Sequence, residues 1–262
     1  MKRPALMGIV NVTPDSFSGD GRLHAEAAQF ALKLVDEGAD IIDFGAESTR
    51  PGAQALTFEE EWARLGPVLE QVIAKDIRSR ARISIDTYHA QTATRALDMG
   101  IDIVNDVSGF GETAMMDCVS EFDCDVVVMH ALSIPADPHV TLPADCNVVE
   151  QILQWKLGVT EKAAGRGVTK ERLVYDPGIG FGKTAEQSLA LMNAAATLKA
   201  SGGRWLFGHS RKSFMKAAGA EDSAARDAMT LEFSQSLAEA GIDYLRVHDV
   251  AAHTAMFQRL CT

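Results

Sequence analysis

Three long cationic side chains, Arg50, Lys212 and Arg246, lie at or soon after the ends of short apolar runs in the sequence. A single lysine or arginine in such a place is usually a solvated surface residue. If the runs are strands that point the same way, however, the three cations converge. The chain has a formal net charge of -11, so a local group of cations would form a distinct site for an anion.

A second set of polar residues, Asp86, Asn105 and Asp176, follows three of the central apolar runs. A carboxylate can accept two hydrogen bonds from a planar N–C–N edge, and an asparagine offers both a donor and an acceptor. The set therefore suits a 2-amino-4-oxo heterocycle such as a pterin. The alternative is that these residues cap helices or turns, which explains Asp106 and Asp249 well.

A short recurring pattern indicates which elements carry these residues. Gly, then Ala or Ile, then Asp, then an apolar run occurs at Gly38–Asp43, Gly100–Asn105 and Gly241–Arg246. Glycine suits the left-handed position that stops a helix. The apolar run that follows is typical of a strand buried on both faces, as in a parallel sheet.

Further apolar runs and helical patterns complete the series. The other strand candidates are Leu6–Val10, Ile83–Ile85, Asp125–Met129, Leu173–Tyr175 and Trp205–Phe207. The helical patterns include Ala25–Glu37, Phe58–Ile73, Val148–Ala164, Ala185–Leu198 and Ala224–Ala240. Eight strands that alternate with helices predict an α/β fold, a (β/α)8 TIM barrel that forms a single domain over residues 1–262. A doubly wound sheet is the alternative, although no GxGxxG follows the first run.

A barrel would bring the polar residues together, because its active site lies at the carboxyl ends of the strands. Two loops rich in glycine and proline, Asn11–Gly21 and Ser48–Gly52, are typical of lids over a bound ligand.

Composition argues against several other classes of protein. The sequence pI of about 5.1 and the lack of a basic stripe argue against nucleic acid as a partner. No run approaches the roughly 20 apolar residues of a membrane span, and no signal peptide is recognisable, so we expect a cytoplasmic protein. The four cysteines form no CxxC and are expected to be free thiols.

Seven motifs, in order along nearly the whole chain, resemble those of the dihydropteroate synthases. They are Met7–Ser18, Glu47–Ala53, Ser84–Thr87, Asn105–Gly109, Asp176–Thr184, Ser210–Phe214 and Arg246–Val250. The resemblance implies a TIM barrel. It also implies a transferase of folate biosynthesis that condenses 6-hydroxymethyl-7,8-dihydropterin diphosphate with 4-aminobenzoate, releasing 7,8-dihydropteroate and diphosphate.

The resemblance also assigns roles, motif by motif. The pterin pocket comprises Asp86, Asn105, Met129, Asp176, Lys212 and Arg246, of which Asp86, Asp176, Lys212 and Arg246 are the catalytic candidates. The diphosphate site comprises Asn11, Thr49, Arg246 and His248, with Mg²⁺ as cofactor held near Asn11. The aminobenzoate site comprises Phe17, Thr49, Arg50, Pro51, Phe181, Gly182, Lys212 and Ser213. The family's habit is a homodimer through the late helices.

The implied chemistry fits these residue types. Diphosphate leaves readily once Mg²⁺ and cations neutralise its charge, and the pterin ring can stabilise a cation at the exocyclic carbon. An SN1-like route without a covalent nucleophile is therefore predicted. Sulfonamides, which mimic aminobenzoate, are expected to compete at the same site.

Departures from the family pattern leave other functions open. Gly45-Ala46 replaces Gly-Gly, Ala131–Pro135 keeps only the proline of its loop, and Arg226–Thr230 lacks a glycine. A non-catalytic pterin-binding paralogue and a pterin-dependent methyltransferase of the same fold are the main alternatives. A class I aldolase with Lys212 as Schiff base, or a metal-dependent hydrolase, is less consistent with the motifs, since no HxH pair occurs.

Overall fold

Eight parallel strands close into one barrel in the order β1 to β8. The computed structural model describes residues 2–13, 23–47, 55–137 and 139–260. The barrel closes because β1 pairs with β8 as well as with β2. The TIM-barrel prediction is therefore confirmed, and the doubly wound alternative, an open sheet, is wrong.

The strands are short, as expected for segments buried on both faces. They are β1 (Ala5–Asn11), β2 (Ile41–Gly45), β3 (Arg82–Asp86), β4 (Ile103–Asp106), β5 (Asp125–Met129), β6 (Leu173–Asp176), β7 (Arg204–Phe207) and β8 (Tyr244–Val247). Each predicted run agrees with its strand to within two residues, and β5 agrees at both ends.

Helices follow the strands around the outside. Over the described ranges they are α1 (Leu23–Asp36), α2 (Phe58–Ala74), α3 (Ala90–Asp98), α4 (Thr113–Ser120), α5 (Val148–Ala164), α6 (Ala185–Asn193), α7 (Ala195–Ala200), α8 (Phe214–Ala217), α9 (Ser223–Glu239) and α10 (Val250–Leu260), with 3-10 turns at Ile77–Ser79 and Lys170–Arg172. The single helix predicted over Ala185–Leu198 is wrong in one respect. It is interrupted at Ala194, whose ψ of 11° leaves the helical range.

The inside of the barrel is filled by one layer of apolar side chains. Six strands contribute one side chain each, and none of these is more than 2% exposed. They are Met7, Ile41, Ile103, Val127, Val174 and Leu206. A larger apolar cluster lies between the strands and the helices. Both faces of every strand are therefore covered, which explains the continuous apolar runs in the sequence.

The recurring Gly-x-Asp pattern has a double role at the amino-terminal rim. Its glycines adopt positive φ values, for example 84° at Gly100, where they end a helix. Its aspartates accept a hydrogen bond from a backbone N–H of the preceding strand. These bonds run from Leu6 N to Asp40 (2.7 Å), from Ile83 N to Asp102 (2.8 Å) and from Trp205 N to Asp243 (2.8 Å). The pattern therefore links β1 to β2, β3 to β4 and β7 to β8.

The described residues bear on two expectations, namely the absence of a membrane span and the presence of free thiols. Within them, no helix combines the length and the apolar character needed to cross a bilayer. Cys118, Cys124 and Cys146 are free thiols, as predicted, and Cys261 lies outside the described residues.

Candidate active site

The polar cluster at the carboxyl-terminal rim follows from the two-residue period of a strand. Successive side chains alternate between the two faces, so a residue two positions after an inner-layer residue faces the same interior. This step leads from Ile41 to Asp43, from Ile103 to Asn105, from Val127 to Met129, from Val174 to Asp176 and from Leu206 to Gly208. The layer that follows the apolar one therefore contains polar side chains, namely Asp43, Asn105 and Asp176, beside Met129 and Gly208.

Arg246, on β8, is the centre of this polar layer. Its Nε donates to Asp43 Oδ2 and its Nη2 to Asp86 Oδ2, both at 2.6 Å. Asn105 Nδ2 donates to the same oxygen of Asp43 at 3.1 Å. The four side chains come from β2, β3, β4 and β8, so the contacts join distant parts of the sequence across the barrel mouth.

Burial and neighbouring charges change the protonation of this group. Burial alone would lower the pKa of Arg246, but the carboxylates of Asp43 and Asp86 outweigh it and raise that pKa. Burial raises the pKa of Asp86 to about 7, against the opposing effect of Arg246. Asp86 therefore changes its charge close to neutral pH, a property often found at functional sites.

Asp176 and Lys212 lie near each other beside this group, without a direct hydrogen bond between them. A Cβ placed on Gly208 would lie 3.6 Å from Asp176 Oδ2 and 4.0 Å from both Lys212 Nζ and Arg246 Cβ. The missing side chain of Gly208 thus leaves the space in which these groups approach one another. Burial raises the pKa of Asp176, and burial lowers the pKa of Lys212 to about 8 although Asp176 opposes this.

The loop after β6 supports the ammonium group of Lys212. Lys212 Nζ donates to the carbonyl oxygen of Ile179 at 2.5 Å and lies 4.7 Å from the centroid of the Phe181 ring. A cation over an aromatic face is an attractive contact. Lys212 is therefore held between Asp176 on one side and the segment Ile179–Phe181 on the other.

The structure adds one residue that the sequence analysis did not assign to the site. Asp43 has no exposed surface and is the shared partner of Arg246 and Asn105. Its Oδ1 has no hydrogen-bond partner among the described residues. The available signal was its spacing from the apolar run, because Asp43 lies two positions after Ile41 on an interior face.

The residues expected around a diphosphate group lie at the same rim. Asn11 is the last residue of β1 and is partly buried. His248 Nδ1 is 3.0 Å from Ser210 Oγ, so the loops after β7 and β8 are in contact. Thr49, the fourth residue expected there besides Arg246, lies outside the described residues.

The residues expected around aminobenzoate are described only in part. Phe181, Gly182, Lys212 and Ser213 belong to the loops after β6 and β7, and Ser213 is exposed. Four others, Phe17, Thr49, Arg50 and Pro51, lie outside the described residues, as does most of each predicted lid. The structure therefore brings Lys212 and Phe181 together with the pterin candidates.

The two predicted capping aspartates differ in what they cap. Asp249 Oδ1 accepts from the N–H of Ala252 at 2.9 Å and so caps α10. Asp106 instead accepts from the N–H groups of Ser108 and Phe110 and closes the turn after β4, while Glu112 is the residue that precedes α4. Asp106 therefore caps a turn rather than a helix.

The donors at this rim suit a magnesium ion that is bound through few protein oxygens. Over the described residues, no three His, Cys, Asp or Glu side chains are grouped to hold a metal. Mg²⁺, however, keeps several waters and is usually bound through few protein oxygens together with substrate phosphates. A single amide oxygen at Asn11 is compatible with that kind of binding.

Comparison with known proteins shows a similarity that extends over nearly the whole chain. The profile of the family described as "Pterin binding enzyme" matches residues 7–248. A "Probable bifunctional folylpolyglutamate synthase/dihydropteroate synthase" of Halobacterium salinarum is 39% identical over 265 aligned residues, which cover 97% of this chain and 31% of that protein. The chain thus spans about a third of the length of this relative.

Two solved structures are similar over at least 94% of their length. Dihydropteroate synthase from Anaplasma phagocytophilum, solved with bound 6-hydroxymethylpterin-monophosphate, has a TM-score of 0.91 and 32% identity, and the alignment covers 100% of both chains. Dihydropteroate synthase from Xanthomonas albilineans, solved with 4-aminobenzoic acid, has a TM-score of 0.89 and 35% identity, with 100% of this chain and 94% of that one covered.

Proposed function

Because the chain belongs to the pterin-binding enzyme family, we propose that it catalyses the dihydropteroate synthase reaction. In this reaction 6-hydroxymethyl-7,8-dihydropterin diphosphate and 4-aminobenzoate give 7,8-dihydropteroate and diphosphate. The similar proteins from Anaplasma phagocytophilum and Xanthomonas albilineans, whose structures contain a pterin monophosphate and 4-aminobenzoic acid, support both substrate classes.

The observation that carries the proposal is the arrangement of charges at the carboxyl-terminal rim. Arg246 is paired with Asp43 and Asp86, while Lys212 lies beside Asp176, and all five side chains face one interior. Carboxylates that accept N–H donors and cations that attract an anion are what a pterin diphosphate requires. A different arrangement, with these side chains on separate faces, would not support the reaction.

The pterin ring is proposed to bind against Asp176, Asn105 and Asp86, with Met129 on the wall of the pocket. Asp176 is 5% exposed and Asn105 3%, so water has little access to either side chain. Buried polar groups favour a ligand that satisfies them and reject one that does not. This selectivity would make the pocket specific for the amino-oxo edge of the ring.

The reaction exchanges a carbon–oxygen bond for a carbon–nitrogen bond. The bond from the exocyclic carbon to the diphosphate oxygen breaks, and the electron pair leaves with diphosphate. The amine nitrogen of aminobenzoate then attacks that carbon and loses a proton. The positive charges of Lys212 and Arg246, held in place near the bond that breaks, stabilise the negative charge of the departing diphosphate. No covalent intermediate with the protein is proposed.

The remaining parts of the proposal concern groups around the site. Asn11 and the substrate diphosphate would hold Mg²⁺, which supplies charge neutralisation for the leaving group. His248 and Thr49 would bind the diphosphate. Arg50, Pro51, Phe17, Phe181, Gly182 and Ser213 would bind aminobenzoate, for which sulfonamides would compete. The protein is further proposed to act as a cytoplasmic homodimer that contacts neither nucleic acid nor membrane.

One assay tests the proposed function. Purified protein is incubated with the pterin diphosphate, 4-aminobenzoate and Mg²⁺, and released diphosphate and dihydropteroate are measured. We expect both products in equal amounts, and none when either organic substrate is left out. Binding of a pterin without any turnover would instead identify a non-catalytic paralogue and would refute the proposal.

A further inference from the structure

Lys183 is a buried cation next to the site whose role the proposed reaction leaves unassigned. Its side chain is 6% exposed and follows Phe181 and Gly182 in the loop after β6. Its Nζ lies 2.8 Å from His130 Nδ1, 2.9 Å from the His130 carbonyl oxygen and 2.8 Å from the Phe181 carbonyl oxygen. Three donors of one ammonium group thus meet three acceptors.

These bonds determine the protonation of His130. A lysine ammonium has donors only, so His130 must accept through an unprotonated Nδ1 and carry its proton on Nε2. Burial, together with the positive charge of Lys183, lowers the pKa of His130 to about 3. The imidazole therefore remains neutral throughout the neutral pH range, and its Nδ1 is an acceptor while Lys183 is protonated.

His130 belongs to the end of β5, so Lys183 links two neighbouring loops. His130 N also donates to the carbonyl oxygen of Asp176 at 3.0 Å. Nearby, Leu142 N donates to the carbonyl oxygen of Gly182 at 2.9 Å, and a Cβ on Gly182 would approach Leu132 Cγ to 2.5 Å. The loops after β5 and β6 are therefore packed directly against each other around Lys183.

The far side of the same loop contacts Lys212. The Ile179 carbonyl oxygen accepts from Lys212 Nζ, and the Phe181 ring lies beneath that ammonium. Lys183 bonds the carbonyl oxygen of Phe181, so a displacement there would move the Phe181 ring as well. The position of the loop segment depends on Lys183, and the environment of Lys212 depends on the loop segment.

We propose that Lys183 is a positioning residue for the second substrate: it ties Phe181 to His130 and so sets the surface on which Phe181 and Lys212 receive aminobenzoate. The inference rests on the proposed function for the identity of that substrate. It assigns no contact between Lys183 and either substrate. The pterin candidates Asp86 and Asn105 lie on other strands, where Arg246 bonds Asp86 directly and is joined to Asn105 through Asp43, so these three should be unaffected.

The charge environment is consistent with this role. Burial lowers the pKa of Lys183 to about 7, the positive charge of Lys212 acts in the same direction, and Asp176 opposes them. The groups that face the ammonium are thus Asp176 on β6, Lys212 after β7 and His130 after β5. Kinetic measurements at pH 6.5 keep Lys183 mainly in the protonated form that has three donors.

The test compares Lys183→Met with Lys162→Met, which makes the same substitution on an exposed position of α5. We measure kcat, the KM for each substrate and the midpoint of thermal unfolding. We expect Lys183→Met to raise the KM for aminobenzoate by about tenfold or more, since small displacements of a bound group are costly. The KM for the pterin diphosphate should rise by a clearly smaller factor, because only part of the proposed pterin pocket is near Lys183, and Lys162→Met should match the wild type.

Several outcomes would overturn the inference. Equal increases in both KM values would indicate a general structural role, and unchanged kinetics would remove any positioning role. If Lys183→Met does not fold, ¹⁵N NMR of the wild-type protein at pH 6.5 decides, because the inference requires His130 protonated on Nε2 and not on Nδ1. If the wild type shows no turnover at all, the proposed function fails separately, and the His130 tautomer still tests the Lys183 contacts.

Discussion

At the scale of single residues, the charges of the rim depend on one another. Asp86 and Lys212 both have pKa values moved towards neutrality, to about 7 and about 8, by the burial that also brings them together. Arg246 remains charged because Asp43 and Asp86 stabilise it. Among the described residues of the site, Arg246 therefore stays cationic, whereas the charges of Asp86 and Lys212 respond to pH near neutrality.

Lys212→Ala should reduce the use of both substrates. The ammonium lies near Asp176 and Phe181, so its loss removes a positive charge from the point where the proposed pterin and aminobenzoate sites meet. We expect kcat/KM to fall by about 10²-fold or more for each substrate, the range for an electrostatic contact at a reacting centre. Lys216→Ala, on the exposed side of α8, is the control, and steady-state kinetics like those of the wild type in Lys212→Ala would refute the assignment.

Pterin affinity should decrease as the pH falls through about 7. Burial raises the pKa of Asp86 from the usual range of an aspartate to about 7, so the carboxylate is ionised above this pH and protonated below it. The protonated form can no longer accept from both N–H groups of the ring edge. Calorimetric titration with 6-hydroxymethylpterin between pH 5.5 and 8 measures the effect, and a constant affinity over this range would contradict the role of Asp86.

Single residues also show how far the sequence could be interpreted. Asp86, Asn105, Asp176 and Arg246 were predicted to meet because each follows an apolar run, and the structure places them together. Asp43 was missed as a site residue because it was interpreted only as the polar residue that ends an apolar run. Whether a polar residue at a strand end faces the interior depends on the alternation of the strand, which requires the register of the inner layer.

At the scale of elements, the loop after β6 determines the geometry beside Lys212. Gly178 has a φ of 66°, and its N–H donates to Asp176 Oδ1 at 2.7 Å. A Cβ there would collide with the carbonyl oxygen of His130. Both the left-handed backbone and the close approach to β5 therefore require a glycine at this position.

Gly178→Ala should destabilise the protein and impair the site. The left-handed conformation costs about 1–2 kcal/mol for a residue with a Cβ, and the collision adds to it. We expect the free energy of unfolding in urea to fall by about 2 kcal/mol or more, together with kcat/KM for aminobenzoate. The control is Gly158→Ala in α5, where a Cβ meets nothing within 4 Å. This substitution should instead raise the free energy of unfolding by about 0.5–1 kcal/mol. Equal stabilities of the two variants would contradict this account.

Elements were predictable from the sequence to different extents. The long helices α5 and α9 were predicted to within one residue, because each has 17 residues without a proline to interrupt it. The short helices α3, α4 and α8 were not among the helical patterns named from the sequence, since 9, 8 and 4 residues give only one to three turns. The interruption at Ala194 has no proline or glycine to announce it in the sequence.

At the scale of the whole molecule, the two rims of the barrel have different compositions and different roles. The carboxyl-terminal rim gathers the ionisable groups of the site, whereas the amino-terminal rim carries the aspartates that link neighbouring strands. Asp102 also pairs with Arg78 at 3.4 Å and Asp243 with Lys199 at 2.7 Å. Polar residues at the amino-terminal rim of a barrel usually act on stability rather than on catalysis.

Removing these aspartates should lower stability without changing catalysis. Asp102→Ala and Asp243→Ala each leave the N–H of a buried residue, Ile83 or Trp205, without its acceptor, which costs about 1–3 kcal/mol. The two positions link different strand pairs. The decreases in the free energy of unfolding should therefore add in the double variant to within about 0.5 kcal/mol. Urea unfolding measures the losses, and kcat/KM of the folded protein should stay at the wild-type value.

Asp36→Ala provides the matched control, because Asp36 forms an ion pair with Arg80 but its side chain is 67% exposed. An exposed pair contributes little, so we expect a loss of at most about 1 kcal/mol. If Asp102→Ala and Asp243→Ala lost no more than this control, the bonds between strands would not stabilise the barrel. If either variant lowered kcat/KM while folded, the two rims would be coupled, and the separation of stability from catalysis along the barrel axis would be wrong.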